Sequence, residues 1–334
     1  MKWKTRVTDI LGSTYPIIQG AYGGFGTSAI AAPVSAAGGF GIITAGALRT
    51  PELLREDIKR ARSMTDQPFG VNLSIGLCPQ IDEMREVAIE ERVPVIFTAA
   101  YRADDHGKRI QEAGLKWVHK VATVHHALAA ERQGADAVVI VGLEGAGFKN
   151  ISQLPTLIAI TTATRMMKVP LIAAGGIGDG HGFLSALAMG AEGVYLGTAF
   201  MATKECPISD RYKQTLVDGQ PWEPAFRDRA LAPPKQEEYQ KVMKEKDNVP
   251  TSQWLQRLEL VLLKESPDTA IDWENALQDW DPEVAVRLSG GSLAVGVIDR
   301  VMTVKELIDC MVADAEAILR REGTLGRIST TDAP

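Results

Sequence analysis

The segments Leu171-Ile-Ala-Ala-Gly-Gly-Ile-Gly-Asp-Gly180 and Gly193-Val-Tyr-Leu-Gly-Thr-Ala-Phe200 each run from a short apolar stretch into glycine and other small residues. The spacing between them, from Gly175 to Gly197, leaves room for one helix between two neighbouring parallel strands. In an eight-stranded barrel, the loops after the seventh and eighth strands commonly hold a phosphate group against backbone N–H groups. The two segments therefore predict a barrel that binds a phosphorylated ligand.

Six earlier apolar runs complete a set of eight predicted strands. The eight runs lie at residues 16–19, 41–44, 69–72, 94–97, 115–120, 137–141, 170–173 and 193–196. Amphipathic, helix-like segments separate them, and Gly114, Gly134 and Gly190 stand where a left-handed helix C-cap is wanted, just before the next strand. The repeated pattern predicts an α/β fold of the TIM (β/α)8 barrel type.

The character of the sequence changes after residue 204, where charges, prolines and four tryptophans accumulate. We predict the barrel in residues 1–204 and 288–322, a helical insertion or cap in 205–287, and a flexible tail in 323–334. Thr303 and Glu306 have the spacing of a capping box at the start of the last helix.

Composition limits the class of partner. The 334 residues carry a formal net charge of −6 and contain no block of basic residues, so neither nucleic acid nor a membrane surface is expected as a partner. Cys78, Cys206 and Cys310 are too far apart to indicate a disulfide framework or a metal site. We expect a cytoplasmic protein with a small-molecule substrate and no metal, and the oligomeric state is left open, with a homodimer as one expectation.

Function in a barrel lies at the carboxyl ends of the strands, and several polar or small residues follow the predicted strands. Asn72 ends an otherwise apolar strand, where a buried amide needs hydrogen-bond partners. Lys120 shares a strand face with Val118, opposite His119, and could bind phosphate or balance negative charge at the barrel mouth.

Other strand ends offer further candidates. The sixth strand runs into the glycine-rich segment 142–149, a natural wall for a planar ligand. His181 follows the glycine turn at residues 175–180, where it reaches the phosphate or faces solvent, and Asp179 is placed to cap the same helix.

With these segments in view, the chain resembles the nitronate monooxygenase (2-nitropropane dioxygenase-like) family and the related FMN-dependent enoyl-acyl-carrier-protein reductases. The segments that carry the resemblance, in family order, are 16–19, 38–42, 69–73, 119–121, 134–138, 173–177 and 196–198. The resemblance implies a barrel that binds FMN, with Asn72 and Lys120 at the isoalloxazine ring. The implied cofactor contacts are Gln19, Gly20, Ala21, Tyr22, Asn72, Lys120, Glu144, Gly147, Ala174, Gly175, Gly176, Gly197 and Thr198.

The chain departs from the family pattern after strand six. Glu144 and Gly147 match, but Phe148 stands at the position of the family histidine and Val141 at that of a glutamine. The family histidine is thought to act on the substrate as a base or polar anchor, and phenylalanine can do neither. Phe148 instead favours an apolar pocket suited to a bulkier or unsaturated substrate.

The leading hypothesis is an FMN-dependent oxidoreductase that oxidises a nitronate-like substrate. The alternative is a reductase of an activated C=C bond, such as an enoyl thioester, with NADH or NADPH as electron donor. Such a reductase needs a proton donor, for which Tyr22, Tyr101 and His181 are candidates. Two other classes stay open: an FMN-binding protein without catalysis, and a barrel isomerase or synthase that holds a sugar phosphate.

Overall fold

The computed structural model describes residues 1–147, 149–262, 266–268 and 291–320. The strands are β1 (Ile17–Gln19), β2 (Ile42–Thr44), β3 (Gly70–Ser74), β4 (Val95–Ala99), β5 (Lys116–Val121), β6 (Ala137–Val141), β7 (Leu171–Ala174) and β8 (Gly193–Leu196). They form one parallel sheet in the order β1-β8-β7-β6-β5-β4-β3-β2. A parallel bridge between Ile18 and Phe40 brings β1 back to the start of β2, so the sheet nearly closes. The predicted TIM barrel and its eight strands are confirmed.

Helices alternate with the strands and continue after β8. Those of the barrel are α1 (Arg6–Leu11), α2 (Ser28–Ala36), α3 (Ala45–Leu48), α4 (Pro51–Met64), α5 (Ile81–Glu90), α6 (Asp104–Glu112), α7 (Val124–Arg132), α8 (Thr156–Met166), α9 (Gly180–Ala188) and α10 (Thr198–Met201). Those that follow are α11 (Asp210–Asp218), α12 (Pro224–Leu231), α13 (Gln236–Lys244), α14 (Thr251–Leu262), a 3-10 helix (Leu293–Val297) and α15 (Val304–Leu319).

The period of two along each strand divides the apolar residues between two layers. Val118 and Val139 point into the barrel and belong to its interior cluster. Trp117 and Val138 point outward and pack under the surrounding helices. Because both faces are covered, the strands are almost wholly apolar, as expected of a buried parallel sheet.

One end of the barrel is closed by α1. Val7 and Leu11 of this helix join the interior cluster, and a Cβ added at Gly193, the first residue of β8, would lie 3.1 Å from Val7 Cγ1. The amino ends of the strands are therefore covered, and the open end is the one where the strands finish.

Three helix exits have the predicted conformation. Gly114, Gly134 and Gly190 have φ values of 79°, 94° and 98°, which only glycine adopts without strain. Each turns the chain from a helix into the following strand, so the predicted C-caps are confirmed.

The segment after β8 contains helices α11 to α14, and residues 263–265 and 269–287 of the predicted insertion lie outside the described residues. The apolar face of α14, which includes Leu255 and Leu258, packs with Tyr101 of the β4 loop. A Cβ added at Gly76, just after β3, would lie 2.4 Å from Leu255 Cδ1, so α14 lies directly on the barrel mouth. The exact domain boundaries stay a prediction.

The chain returns to the barrel at residue 291. Thr303 and Glu306 form the predicted capping box at the start of α15, and α15 packs so tightly on α9 that a Cβ at Gly180 would lie 2.5 Å from Asp314 Cβ. The predicted tail, residues 323–334, lies outside the described residues. In the part of the chain that is described, no helix is long and apolar enough to cross a bilayer.

Candidate active site

A cavity of about 890 Å³ opens at the end of the barrel where the strands finish. Asn72 of β3, Lys120 of β5 and Tyr195 of β8 line it from below. Loops after the strands form its sides, and helices α12 and α14 contribute Arg229 and Glu259 from above. The cavity is where a barrel enzyme carries its ligand.

The glycine turns after β7 and β8 form one side of the cavity. Gly175 and Gly176 have φ values of 108° and 73°, and a Cβ at Gly176 would lie 3.0 Å from Glu144 Cβ. The space beside the Gly197 Cα is empty, since the nearest atom to an added Cβ would be Tyr22 Cε1 at 4.0 Å. Exposed backbone of this kind suits an anion that approaches closely.

All four residues predicted to hold the phosphate line this cavity. They are Gly175, Gly176, Gly197 and Thr198, and the predicted cofactor contact Ala174 lines it beside them. Ser292, from the segment that returns after the insertion, joins them: its backbone N–H donates to Thr198 Oγ1 at 3.0 Å, and the two hydroxyl groups lie 2.8 Å apart. Sequence reasoning missed Ser292, although a Gly-Gly-Ser segment after a long insertion is the kind of signal that marks such a contact.

The first loop reaches the cavity only in part. Ala21 and Tyr22 line it, and the Tyr22 hydroxyl donates to the Gly197 carbonyl at 2.9 Å. Burial raises the pKa of Tyr22 well above its usual value, so this group stays protonated. Gln19 is fully buried and accepts from the Ile42 N–H at 3.0 Å. Neither Gln19 nor Gly20 is among the cavity-lining residues described, so these two predicted contacts are not brought to the cavity.

The Asn72 side chain has only one of its two polar atoms in a hydrogen bond among the described residues. Its side chain is fully buried, and Nδ2 donates to Ser74 Oγ at 3.0 Å. Its Oδ1 finds no donor among the described residues. A buried acceptor without a donor is costly, and here it faces a cavity where a ligand can supply one.

Lys120 points inward with Val118, as the strand alternation predicted. Burial lowers the pKa of its ammonium group to about 8, and the charge of Glu259 opposes the shift. The cavity therefore holds a cation whose proton is less firmly bound than that of an ordinary lysine.

His119, on the opposite face, serves the fold. Its Nε2 lies 3.1 Å from the Tyr101 carbonyl, which can only accept, so Nε2 carries the proton and Nδ1 accepts from the Thr98 hydroxyl at 2.7 Å. Burial lowers its pKa to about 4. Both ring nitrogens are engaged, and the ring is neutral at physiological pH.

The loop after β6 contributes backbone to the cavity. Gly147 lines it, whereas the Glu144 carboxylate accepts from the Thr156 N–H at 2.8 Å and from the Thr156 hydroxyl at 2.6 Å and is turned away from the cavity wall. Lys149 fixes the loop, since its Nζ donates to the carbonyl groups of Leu143 and Gly145 at 2.6 Å. Phe148, at the position of the family histidine, lies outside the described residues.

Two predicted proton donors do not line the main cavity. The Tyr101 side chain contributes to a smaller neighbouring cavity of about 300 Å³, and burial raises its pKa. His181 is 62% exposed and lies 3.8 Å from the Asp179 carboxylate. Asp179 caps α9 by accepting from the Gly182 N–H at 2.7 Å, as predicted. Of the three proton-donor candidates, only Tyr22 is at the cavity.

The residues that sequence reasoning missed above the cavity are charged. Arg229 and Glu259 are 6% and 9% exposed and come from the insertion helices α12 and α14. Burial raises the pKa of Glu259 to about 7, and the positive charges of Lys120, Arg229 and Lys149 oppose this rise. A detectable signal exists: Glu259 falls on the apolar face of α14, four residues after Leu255.

Comparison with known proteins supports the expected family. The chain is 31% identical over 258 residues to a probable nitronate monooxygenase of Staphylococcus aureus, which covers 64% of this chain and 72% of that protein. It is 32% identical over 224 residues to a Mycobacterium tuberculosis protein, (3aS,4S,5R,7aS)-5-hydroxy-7a-methyl-1-oxo-octahydro-1H-indene-4-carboxyl-CoA dehydrogenase, covering 66% of this chain and 62% of that one.

A solved structure extends the likeness to nearly the whole fold. FabK from Thermotoga maritima is 31% identical and superposes with a TM-score of 0.76, covering 96% of this chain and 98% of that chain. The nitronate monooxygenase family model itself matches residues 4–314, from before β1 to within α15. The chain therefore belongs to the nitronate monooxygenase family and is a flavin-dependent oxidoreductase.

Proposed function

We propose that the chain binds FMN in the cavity at the barrel mouth and uses it to oxidise nitronates. The observation that carries the proposal is Asn72 Oδ1, a buried acceptor without a donor among the described residues. Asn72 lines the same cavity as the glycine turns at Gly176 and Gly197. One ligand with a hydrogen-bonding ring and a phosphate would satisfy both ends.

The residues fit the two ends of FMN. The isoalloxazine ring carries an N–H group that can donate a hydrogen bond to Asn72 Oδ1. Asn72 Nδ2 has a second hydrogen besides the one that it donates to Ser74, and this hydrogen can also bond to the ring. The phosphate would lie against the backbone of Gly176 and Gly197, beside the hydroxyl groups of Thr198 and Ser292.

The charge of the site suits an anionic substrate. Lys120 and Arg229 line the cavity, and Glu259 is the only carboxylate among its described lining residues. A nitronate carries its negative charge on the nitro oxygen atoms, where the Lys120 ammonium group can bind it. Bound FMN would supply the redox chemistry between the substrate and oxygen, and the chain would bind and orient both.

A second candidate is reduction of an activated C=C bond, such as that of an enoyl thioester, with NADH or NADPH as donor. The observation that favours it is the likeness to a Mycobacterium tuberculosis dehydrogenase of a carboxyl-CoA thioester. The cavity volume of about 890 Å³ gives space for a substrate larger than a small nitronate.

The absorption spectrum of the purified protein and mass analysis of the released cofactor test the FMN assignment. Oxygen uptake with propyl-2-nitronate, compared with anaerobic bleaching by NADH or NADPH and recovery on adding enoyl thioesters, separates the two reactions. Oxygen uptake on the nitronate supports the leading proposal. Rapid bleaching by pyridine nucleotide, recovery with a thioester and no nitronate turnover would replace it with the second.

We also propose a reducing, cytoplasmic setting and a small-molecule substrate. Cys78, Cys206 and Cys310 are all free thiols, and the first two are buried. A homodimer stays part of the proposal, and sedimentation of the purified protein would test it.

A further inference from the structure

We propose that Tyr22 is a positioning residue for the phosphate end of FMN, because its hydroxyl group holds the peptide unit between Gly197 and Thr198 in the orientation that receives the phosphate. The inference rests on the proposed binding of FMN. It assigns to one hydroxyl group of this chain a preference of the site for FMN over riboflavin, which is the same flavin without the phosphate.

The first loop, between β1 and α2, holds Tyr22 in place at the cavity wall. The Ala21 N–H donates to the Tyr195 hydroxyl of β8 at 2.7 Å, and the Tyr22 N–H donates to Thr44 Oγ1 of β2 at 3.0 Å. The Tyr22 ring is stacked on the Phe25 ring, with 4.6 Å between their centroids. Because the loop is bonded to both β8 and β2, the barrel fixes where the Tyr22 hydroxyl lies.

The Tyr22 hydroxyl connects this loop to the turn after β8. It donates to the Gly197 carbonyl at 2.9 Å, and the same oxygen accepts a second hydrogen bond from the Met201 N–H at 3.1 Å. The Met201 bond belongs to α10, a helix of only four residues, and so short a helix is weakly stable by itself. The Tyr22 bond ties this short helix to the first loop and so to the barrel.

The geometry of the peptide unit carries the effect of Tyr22 from one atom to another. The bond between Gly197 and Thr198 is trans, so the Gly197 C=O and the Thr198 N–H point in opposite directions. A hydroxyl group that fixes the direction of the carbonyl therefore fixes the direction of the N–H. Gly197 has no side chain to restrict its own rotation. Both residues line the cavity, and an N–H group that is already oriented binds an anion without the cost of ordering it.

The hydrogen bond to Gly197 separates this role from two others that a tyrosine at the cavity could have. A phenol has one proton, and here that proton is donated to the Gly197 carbonyl, which can only accept. Burial raises the pKa of the Tyr22 hydroxyl well above its usual value, so the group stays protonated. While this bond exists, Tyr22 neither protonates a substrate nor donates to the phosphate directly. It acts on the phosphate through the peptide unit.

The other hydroxyl groups near the turn have different partners. The Tyr195 hydroxyl accepts from the Ala21 N–H, which places it at the start of the first loop. The Thr198 and Ser292 hydroxyl groups lie 2.8 Å apart, and Thr198 Oγ1 also accepts from the Ser292 N–H. Among the described residues, Tyr22 is the one whose side chain bonds to the Gly197 carbonyl. The effect on the peptide unit is therefore assigned to Tyr22.

The test compares the binding of FMN and riboflavin, which differ only in the phosphate, by fluorescence titration of the flavin-free protein. Tyr22→Phe removes the hydroxyl oxygen, keeps the ring on Phe25 and leaves the Gly197 carbonyl bonded to the Met201 N–H, so the fold is retained. The Kd for FMN should rise by about tenfold, and the Kd for riboflavin should change by less than about twofold. Tyr15→Phe, the same change just before β1 at the closed end of the barrel, is the matched control and should leave both Kd values unchanged.

A spectroscopic measurement accompanies the titrations. The phosphorus NMR resonance of bound FMN should shift in Tyr22→Phe and keep its wild-type position in Tyr15→Phe, while the Tm of the flavin-free proteins shows that both are folded. Equal weakening of FMN and riboflavin would mean that the hydroxyl shapes the whole cavity, and this result would overturn the assignment. An unchanged Kd for FMN in Tyr22→Phe would overturn it as well. If wild type binds neither flavin, the proposed function fails and the role of Tyr22 fails with it.

Discussion

Lys120, near the end of β5, and Glu259, on the insertion helix α14, line both cavities at the barrel mouth. Burial lowers the pKa of Lys120 and raises that of Glu259, and the attraction between their charges opposes both shifts. The barrel and the insertion thus each supply one member of a buried pair whose two pKa values, about 8 and about 7, lie close to neutral pH. Such values are typical of functional sites.

We expect Glu259→Gln to stabilise the cofactor-free protein at neutral and alkaline pH. The folded-state pKa of about 7 lies above the ordinary glutamate value of 4.5, so the folded protein binds more protons between these values and wild type loses stability as the pH rises through them. Glutamine does not ionise. The gain should be near zero at pH 4 and reach about 3 kcal/mol above pH 7, because the pKa of about 7 already includes the attraction to Lys120. Urea unfolding of both proteins from pH 4 to pH 8 measures the gain in stability. A gain that did not depend on pH would contradict the raised pKa of Glu259.

The barrel and the residues on its strands could be predicted because the signals are local. Asn72 and Lys120 follow from strand alternation, and Gly176 and Gly197 from the small residues at strand ends, all within segments of a few residues. Each strand has only two faces, so its pattern fixes which side chains reach the barrel mouth.

The residues above the cavity could not be placed from the sequence because their position depends on docking. Glu259 reaches Lys120 only when α14 lies against Gly76. Ser292 reaches Thr198 across ninety-four positions of sequence. No local pattern fixes where an insertion packs, and the sequence offers two signals only: a glutamate on the apolar face of α14 and the Gly-Gly-Ser segment that contains Ser292.

Thr198→Val should weaken both the fold and flavin binding. Thr198 is 3% exposed, and its hydroxyl accepts from the Ser292 N–H at 3.0 Å. Valine has the same shape but leaves that N–H without a partner, at a cost of about 1 to 3 kcal/mol. Chemical unfolding gives the stability and fluorescence titration the flavin affinity. Thr161→Val, on the surface of α8, is the control and should shift stability by less than about 0.5 kcal/mol.

Gly197→Ala separates cofactor binding from folding. The residue has φ −99°, so alanine meets no backbone strain, and its Cβ would be 4.0 Å from the nearest atom, Tyr22 Cε1. Stability should stay within about 0.5 kcal/mol of wild type. The methyl group would project toward the cavity and keep a phosphate from the backbone, so the flavin Kd should rise by about tenfold, or 1.4 kcal/mol. An unchanged Kd would show that the phosphate binds elsewhere.

Lys149→Met tests the β6 loop. Lys149 Nζ donates to the carbonyl groups of Leu143 and Gly145 at 2.6 Å and of Ala230 at 3.3 Å, so it ties the loop to the end of α12. Methionine keeps the aliphatic stem but leaves these carbonyl groups without a charged donor, and we expect a loss of about 3 kcal/mol. Flavin affinity should fall as well, because Gly145 and Gly147 line the cavity from this loop.

The control for that variant is Lys168→Met, which removes an exposed lysine after α8 and should cost less than about 0.5 kcal/mol. Thermal and chemical unfolding of both variants, with and without added flavin, measure the two effects. If Lys149→Met lost stability while its flavin Kd stayed at the wild-type value, the loop would be fixed for the fold alone. A parallel loss of both would mean that the Lys149 contacts shape the cavity wall, because the same loop that carries Gly147 would then have moved.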